Sequence, residues 1–484
     1  MIVKSDFISL KPKVGLFLIT GGWIREVGLQ NSSSSLSDEA DLIAETININ
    51  LSEFADISFS GVIYSEELAR QAVINAKKYD VEVLLISPLM WAEDILLKTV
   101  LKEFSKIPLI FVTFLPYTAF KDFMSFEEMI KGCGVVGSLQ MSGFLRREGY
   151  FYEPVVGYYK DRGVYEEIKK NIMAIKVSEN LKNLKVGVLP FRCDQMTVTY
   201  VYEFDMHKLY GIELKYLELQ AVKDVAQSFS KDEIENFKSL LLAQGLVIEV
   251  DERNLNEGIK YSLALEKIIK DSSLKVLAMN DVIEEMHNCF GMRPCLVNPR
   301  LSEYGVNVSM EADIAAGIAM HILNLYTNIV PFYTEILCAD LENNTFIMGH
   351  AGYYNYANSD PDYPVKVVSD PEYKTVDRFT GACIYYKYKP GPITIINSIY
   401  DGSRLKWTAI EGESLAGPPI LEGDPHVHCK LEKPLKKFFK ETIKSGVSQH
   451  WIVVYGHIAD DLKILCEWNN INYIRLSDSQ ELNI

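Results

Sequence analysis

Short apolar runs alternate with amphipathic stretches over the first 180 residues. The apolar runs have the length and composition of strands that are buried on both faces of a parallel sheet. They are Val14–Ile19, Val81–Ile86 and Ile107–Phe114. Between them, Ser37 with the two acids that follow it predicts the start of a helix that continues to about Ile49, and Asp94–Phe104 predicts another helix.

The same alternation begins again after the charged amphipathic stretch Tyr165–Lys185. The strand candidates of this second segment are Lys185–Leu189, Leu214–Leu219, Leu246–Val250 and Leu274–Met279. Its helix candidates are Lys231–Ala243 and Asn256–Asp271. A strand–helix alternation of this kind predicts a second layered α/β domain with a parallel sheet.

The pattern changes after about residue 330, where Pro, Gly and Tyr become frequent. The strand candidates there are Thr345–Met348, Ala382–Tyr388, Ile393–Ile396 and Trp407–Ile410. Their spacing is typical of an all-β unit. The predicted fold class is α/β, with two successive doubly wound α/β domains at residues 1–180 and 181–329 and a mostly β C-terminal domain at residues 330–484.

The charge balance limits the partners that we expect. Lys and Arg total 49 and Asp and Glu total 65, which gives a formal net charge of −16 over 484 residues. This charge disfavours non-specific attraction to nucleic-acid phosphates and to anionic membrane surfaces. We therefore expect neither a nucleic acid nor a membrane as a partner.

The cysteines and the apolar runs bear on the compartment. The 8 cysteines are scattered without a CxxC pair, which argues against a disulfide framework and against a thiolate zinc site. The N-terminal residues lack the apolar core of a signal peptide, and the most apolar runs are shorter than the ~20 residues that cross a bilayer. These features predict a cytoplasmic protein with reduced thiols.

Several common catalytic and nucleotide-binding motifs are missing from the sequence. It contains no GxxxxGK[ST], no HExxH and no GxSxG, and the glycines around the first strand do not form GxGxxG. A nucleotide-dependent dehydrogenase is therefore disfavoured. His426 and His428 would share one face of a strand and could bind a metal, although such a pair more commonly lies exposed on a strand or loop.

The segment that follows residue 308 carries the candidate chemistry. Apolar residues recur there at three- and four-residue steps, at Ile314, Ile318, Ile322 and Leu325. This spacing predicts a helix with Glu311 and Asp313 in its first turn. Acids at that position contribute about 0.3–1 kcal/mol each by compensating the helix dipole, so on their own they need no functional explanation. A second acid, Glu335, follows 24 residues after Glu311, and His350 comes 15 residues after that.

This arrangement resembles the arabinose isomerase and fucose isomerase group of metal-dependent aldose–ketose isomerases. In that family a Glu begins a helix with a small-residue, Met-containing face, as in Glu-Ala-Asp-Ile-Ala-Ala-Gly-Ile-Ala-Met from Glu311, and a second carboxylate follows, as at Glu335. The family's later histidines match His350, in His-Ala-Gly, and His450, in Gln-His. The stretch Pro190–Met196 looks like the end of a strand in the family's second domain.

The length and the three-part organisation also agree with the family. Glu335 indicates the arabinose branch, because the fucose enzymes tend to have Asp there and are longer. Two positions depart from the family pattern. Ala351 stands where the family has Cys, and Gln449 stands where it has the first His of a His-His pair.

The resemblance implies a metal site made by the second half of the chain. Glu311, Glu335, His350 and His450 would be the metal ligands, and Glu311 and Glu335 the acid/base pair. The implied cofactor is Mn²⁺, or another divalent ion such as Co²⁺ or Mg²⁺, since mixed O/N ligands with open positions suit such ions. Family members are trimers or hexamers, so a homo-oligomer is implied as well.

Three residues are candidate substrate contacts. The resemblance places Met196 in the sugar pocket, and Gln449 at the position of a family histidine. Trp23 follows the first predicted strand, and ligands of open α/β sheets lie at the carboxyl ends of strands. A tryptophan at such a position serves more commonly in core or interface packing.

The leading hypothesis is therefore a ketol-isomerase, an intramolecular oxidoreductase of carbohydrate metabolism, acting on a free pentose or deoxyhexose through an enediol. A divalent ion can hold two adjacent sugar oxygens while a carboxylate moves the proton between C1 and C2. The alternative is a non-catalytic sugar-binding or regulatory relative of the same fold, which Ala351 and Gln449 motivate. Since a single histidine at a strand end is often structural, only the four proposed ligands together support the site.

Overall fold

The computed structural model describes residues 11–28, 35–104, 106–296, 298, 301, 304–352, 355–372 and 381–476. The N-terminal segment that was compared with signal peptides lies mainly outside these ranges. The described residues fold into two compact units, one within residues 8–176 and the other within 177–484. The division into three domains at residues 180 and 329 stays a prediction.

The unit within residues 8–176 contains a parallel sheet. Its strands are β1 (Lys13–Ile19), β2 (Asp56–Phe59), β3 (Val83–Pro88), β4 (Leu109–Leu115) and β5 (Tyr152–Tyr158). They lie in the order β2-β1-β3-β4-β5. The helices that begin in this unit are α1 (Trp23–Gly28), α2 (Leu36–Ser52), α3 (Glu66–Tyr79), α4 (Asp94–Leu101), α5 (Phe126–Gly132), α6 (Gly134–Arg147) and α7 (Arg162–Leu181).

The predicted start of α2, at Ser37, is two residues too late. The cap is Ser35, whose hydroxyl accepts a hydrogen bond from the Asp38 backbone at 3.1 Å, while the Asp38 carboxylate accepts one from the Ser35 backbone at 2.9 Å. This reciprocal pairing needs an acid three residues after the cap. Ser35 has Asp38 at that distance, whereas Ser37 has Ala40.

The unit within residues 177–484 begins with a second parallel sheet. The first strands of the unit are β6 (Lys185–Leu189), β7 (Glu213–Tyr216), β8 (Val247–Ile248), β9 (Val276–Met279) and β10 (Asn307–Met310). The sheet order is β10-β9-β6-β7. The helices of this part are α8 (Glu203–Tyr210), α9 (Leu219–Gln227), α10 (Lys231–Ala243), α11 (Glu252–Asp271), α12 (Glu284–Phe290) and α13 (Ile314–Thr327).

An antiparallel β region follows. Its strands are β11 (Phe332–Asp340), β12 (Thr345–Gly349), β13 (Lys366–Ser369), β14 (Ala382–Tyr385), β15 (Gly391–Tyr400), β16 (Leu405–Ser414), β17 (His426–Lys430), β18 (His450–Tyr455) and β19 (Asn472–Arg475). The main sheet has the order β15-β18-β11-β12-β17-β16-β19, and an additional pairing of β15 with β16 closes it on itself. The helices α14 (Leu435–Ser445) and α15 (Ala459–Trp468) accompany it.

One strand prediction placed its segment in the wrong sheet. Leu246–Val250 was expected to extend the second α/β sheet, but it contributes only the short β8, which pairs with β13 in a separate sheet of order β14-β13-β8. The reason is that β8 is not an apolar buried strand, since Val247 is exposed and Ile248 only half-buried. The coarser prediction, a mixed α/β chain with parallel sheets followed by a β region, is confirmed.

Helix α13 connects the two kinds of sheet within this unit. On one side Gly317 lies so close to β9 and β10 that a Cβ there would come within 2.8 Å of Val276 and Ser309. On the other side the Ser398 hydroxyl of β15 donates to the Ala315 carbonyl at 3.1 Å. The start of α13 is therefore fixed between the parallel and antiparallel sheets.

In the described part of the chain, no helix has the length and apolar character needed to span a membrane.

Candidate metal centre

The four predicted ligands lie together. Glu311, Glu335, His350 and His450 each offer one ligand atom, and these atoms all lie within 4.8 Å of one another. They come from four separate parts of the sequence. Three of the side chains are buried and Glu335 is half-buried, so Glu335 is the most exposed of the four.

Strand register brings three of these residues together. Glu335 lies on β11, directly opposite His450 of β18 and, on its other side, opposite Gly349 of β12. His350 follows Gly349 immediately. Because directly opposed residues of antiparallel strands have Cβ atoms about 4.5–5.5 Å apart, the pairing brings Glu335 close to His450, and it places His350 one residue beyond the position opposite Glu335.

Glu311 reaches the cluster from a turn rather than from a helix. We predicted it in the first turn of α13, but the helix begins at Ile314, with Asp313 as the cap accepting a hydrogen bond from the Ala316 backbone at 2.9 Å. Glu311 and Ala312 precede it with φ of +56° and +51°. The turn reverses the chain after β10, and a left-handed conformation at a residue with a Cβ requires support from its surroundings.

Hydrogen bonds orient both imidazole rings. His450 Nδ1 donates to Asp313 Oδ2 at 2.8 Å, and His350 Nδ1 donates to the Ala351 carbonyl. Each ring therefore directs Nε2 toward Glu311 Oε2. A partner at the second ring nitrogen of this kind is what fixes the tautomer and direction of a metal-binding histidine.

The charges in the cluster shift the pKa values in opposite directions. Burial by itself would raise the pKa of Glu311, but hydrogen bonds and charges of His350 and His450 outweigh it and hold that pKa well below its usual range. Burial dominates at Glu335 and raises its pKa. At His450 burial opposes the charged form, yet Asp313 and Glu311 raise the pKa to about 10.

The residues fit a divalent cation. With a proton on Nδ1, a neutral His450 would turn an Nε2 lone pair toward Glu311 Oε2, and two acceptors repel each other unless a positive charge lies between them. In the described structure His450 Nε2 is buried against Glu311 Oε2, its close charged neighbour, and the contact does not have the regular geometry of a hydrogen bond. That positive charge is either a second proton on the ring or a metal ion, and two carboxylates with two imidazoles form a typical donor set for such an ion.

A second group of ligand-type side chains suits a metal less well. Cys295, Asp370 and Cys383 are buried within 4.8 Å of one another. However, the guanidinium of Arg293 already donates to both oxygens of Asp370, at 2.9 and 2.7 Å. A cation there would lie beside a buried positive charge, so we assign no metal to this group.

The predicted substrate contacts lie in different places. Gln449 and Met196 touch, with Gln449 Nε2 donating to the Met196 sulfur at 3.0 Å, and Gln449 is the neighbour of His450 in the chain. Trp23 belongs to the unit within residues 8–176, where its ring packs against Trp91 with centroids 5.8 Å apart. Whether any of the three binds substrate stays a prediction.

Two other buried histidines have structural surroundings. His321 is buried, donates to Asn180 Oδ1 at 3.2 Å, and has its pKa lowered to about 3 by burial, as expected of a core residue. His426 is buried on β17, where its ring bonds to the backbone of Asp424 and Ile420. In the described structure the pair His426 and His428 is not part of a group that could hold a metal.

Sequence reasoning missed Asp313 as the partner of His450, and it missed Asp281 altogether. Asp281 is fully buried, and its carboxylate accepts a hydrogen bond from the Glu311 backbone at 2.9 Å. Burial raises its pKa to about 6, against the opposing charge of Arg293. A pattern that would have found it is the polar pair Asn280-Asp281 directly after the apolar β9, because β9 and β10 end at the same edge of a parallel sheet.

Comparison with known proteins gives one group of distant relatives. No protein-family model matches the chain. Proteins named sulfoquinovose isomerase from Priestia aryabhattai and Priestia megaterium are each 23% identical over 335 residues, covering 68% of this chain and 72% of the relative. A protein of the same name from Clostridium sp. (strain MSTE9) is 18% identical over 317 residues, covering 65% of this chain and 69% of the relative. The chain is thus distantly similar to proteins named as isomerases of a sugar.

Proposed function

We propose that this protein is an aldose–ketose isomerase that uses a divalent metal ion. The observation that carries the proposal is the convergence of Glu311, Glu335, His350 and His450 on one small space. The similarity to proteins named sulfoquinovose isomerase agrees with the predicted enzyme class, a sugar isomerase among the intramolecular oxidoreductases. Mn²⁺, with Co²⁺ or Mg²⁺ as alternatives, is the ion that we propose.

The two glutamates differ in exposure, and we assign them different roles. Glu311 has a side chain only 9% exposed, whereas that of Glu335 is 30% exposed. A proton carrier must come within hydrogen-bond reach of the substrate, so we assign proton transfer between C1 and C2 to Glu335. Glu311, His350 and His450 would hold the ion together with Glu335, its most exposed ligand. The ion would supply Lewis-acid stabilisation for the charge of the enediol.

The sugar and the assembly belong to the proposal as well. The resemblance to the arabinose branch favours a free pentose or deoxyhexose, and the names of the distant relatives add sulfoquinovose to the candidates. Met196 and Gln449, which touch each other beside His450, are the proposed substrate contacts of this unit. We further propose a cytoplasmic homo-oligomer, a trimer or hexamer.

The test compares activity with and without metal on a panel of sugars. Metal-free protein should convert none of arabinose, fucose and sulfoquinovose, and addition of Mn²⁺ should restore turnover of at least one of them. Glu335→Gln should lower kcat by 10²-fold or more, since general acid–base catalysis contributes about 10²–10⁴-fold. The matched control is Glu342→Gln, because Glu342 is exposed in the turn that joins β11 to β12. A folded protein that is inactive on every sugar with Mn²⁺ present would contradict the proposal.

The second candidate function is sugar binding without turnover. The observation that favours it is the pair of departures from the family pattern, Ala351 and Gln449. Titration calorimetry distinguishes the two functions. Heat of sugar binding without any ketose product would select the binding protein, whereas product formation rejects it.

A further inference from the structure

Glu311 holds its place in the cluster through a strained turn. Glu311 and Ala312 have φ of +56° and +51°, a conformation that costs residues with a Cβ roughly 1–2 kcal/mol each. Strain of this kind persists only where neighbouring groups hold the backbone. The position of the Glu311 carboxylate therefore depends on what holds the turn.

Each backbone N–H of this turn has a partner. Ala312 N donates to the Met279 carbonyl at 3.0 Å, and Asp313 N donates to the Met310 carbonyl at 3.1 Å. Glu311 N donates to Asp281 Oδ1 at 2.9 Å. Of these three acceptors, Asp281 is the one that belongs to a side chain, so it is the contact that a substitution can remove.

Asp281 is itself held by a buried cation. Its Oδ2 lies 3.5 Å from Arg293 Nη1. Arg293 is 1% exposed and also donates to Asp370, and through Nη1 to Glu372 at 2.7 Å. His287 Nε2 donates to the Asp281 backbone carbonyl at 2.7 Å. Because a buried carboxylate is costly without a charge partner, Arg293 stabilises the acceptor on which the turn depends.

We propose that Asp281, supported by Arg293, is a positioning residue that holds Glu311 in the geometry required for binding a divalent ion. This inference rests on the proposed function, since it takes Glu311 to be a ligand. Asp281 itself has no place among the four ligands; it acts on the cluster through the backbone of Glu311. Partners of this kind around a metal ligand typically change metal affinity 10–100-fold when they are removed.

The chain offers a closely matched control in Asp360. Like Asp281, Asp360 is buried in the unit within residues 177–484, accepts a backbone hydrogen bond with one oxygen, and pairs with a buried cation through the other. Its partners are Asp362 N at 3.1 Å and Lys387 Nζ at 2.9 Å. Loss of either aspartate therefore removes the same kinds of contact, but only Asp281 touches a proposed ligand.

The experiment titrates Mn²⁺ into metal-free protein by calorimetry, with thermal unfolding as the measure of folding. Asp281→Ala should weaken Mn²⁺ binding about 10–100-fold, while Asp360→Ala should leave it within about twofold despite a comparable loss of stability. Asp281→Asn should lose less affinity than Asp281→Ala, because its amide oxygen can still accept from Glu311 N.

Two results would overturn the inference, and a third concerns the proposed function. Asp281→Ala binding Mn²⁺ as tightly as Asp360→Ala overturns it. If Asp281→Ala does not fold, Asp281→Leu decides, because leucine has the branched shape of aspartate but no acceptor for Glu311 N, and Mn²⁺ binding equal to that of the wild type overturns the inference. Wild-type protein that binds no Mn²⁺ refutes the proposed metal site, and this inference with it.

Discussion

At the scale of single residues, one carboxylate serves both a helix and a histidine. Asp313 Oδ1 accepts from the Ala316 backbone and caps α13, and Oδ2 accepts from His450 Nδ1. The first role could be anticipated from the sequence, since an acid at a helix start is common. The second role depends on a residue 137 positions away, which no local pattern indicates.

The half-buried acid Asp424 gives a prediction about pH. Asp424 lies two residues before His426, which is paired with Gly349, and one of its oxygens is buried without a hydrogen-bond partner in the described structure. Burial raises its pKa to about 6. The folded protein therefore favours the protonated carboxyl. The contribution of Asp424 to the free energy of unfolding is fully present below the unfolded pKa near 3.9 and is lost as pH rises through about 6.

Asp424→Asn should therefore be more stable than the wild type at pH 7, by about 1–2 kcal/mol. The difference between the two proteins should shrink as pH falls from 7 to 4, because the wild-type carboxyl becomes protonated. The measurement is the free energy of unfolding against pH for both proteins. A difference that does not vary with pH would show that Asp424 has an ordinary pKa.

At the scale of secondary-structure elements, α13 owes its close packing to one glycine. Gly317 lies inside the helix, and a Cβ there would come within 2.7 Å of Val276 and 2.8 Å of Ser309. Both neighbours are buried side chains on β9 and β10, so neither has room to move. Asp313 caps α13, so the distance between the helix and the sheet also sets the position of Asp313.

Gly317→Ala should destabilise the protein by about 1–3 kcal/mol, the usual cost of overpacking a core. The matched substitution is Gly143→Ala in α6, where a Cβ would meet no described atom within 4 Å. That change should stabilise by up to about 1 kcal/mol, because alanine is the better helix former. Urea unfolding measures both, and an equal gain in the two variants would refute the close approach of α13.

At the scale of the whole molecule, the cluster belongs to one compact unit. All four proposed ligands come from residues 177–484, on β11, on β18, directly after β12 and in the turn before α13. A ligand that binds only the folded state stabilises it by about 2.7 kcal/mol at one hundred times its dissociation constant. Metal binding should thus stabilise this unit in particular.

Hydrogen exchange with and without Mn²⁺ would measure this effect by region. We expect slower exchange in β11, β12 and β18 when the ion is bound, and unchanged exchange in the sheet of β1 to β5. Removal of the ion by a chelator should reverse the protection. Protection that is equal in both units, or confined to the unit within residues 8–176, would place the ion elsewhere.

The sequence by itself determined the local elements and the identity of the four clustered residues. Apolar runs and helix periodicity are local properties, so strands such as Lys185–Leu189 and helices such as Lys231–Ala243 were predicted with their observed bounds. The resemblance to a family then selected Glu311, Glu335, His350 and His450.

Only the tertiary structure decided how these residues meet. Strand register places Glu335 between His450 and Gly349, and register depends on pairing between distant segments. The left-handed turn at Glu311 is held by Asp281, 30 residues earlier in the chain. The pairing of β8 with β13 likewise joins segments far apart in sequence. Such contacts follow from long-range packing and from the burial of charge. A local sequence pattern contains no information about either.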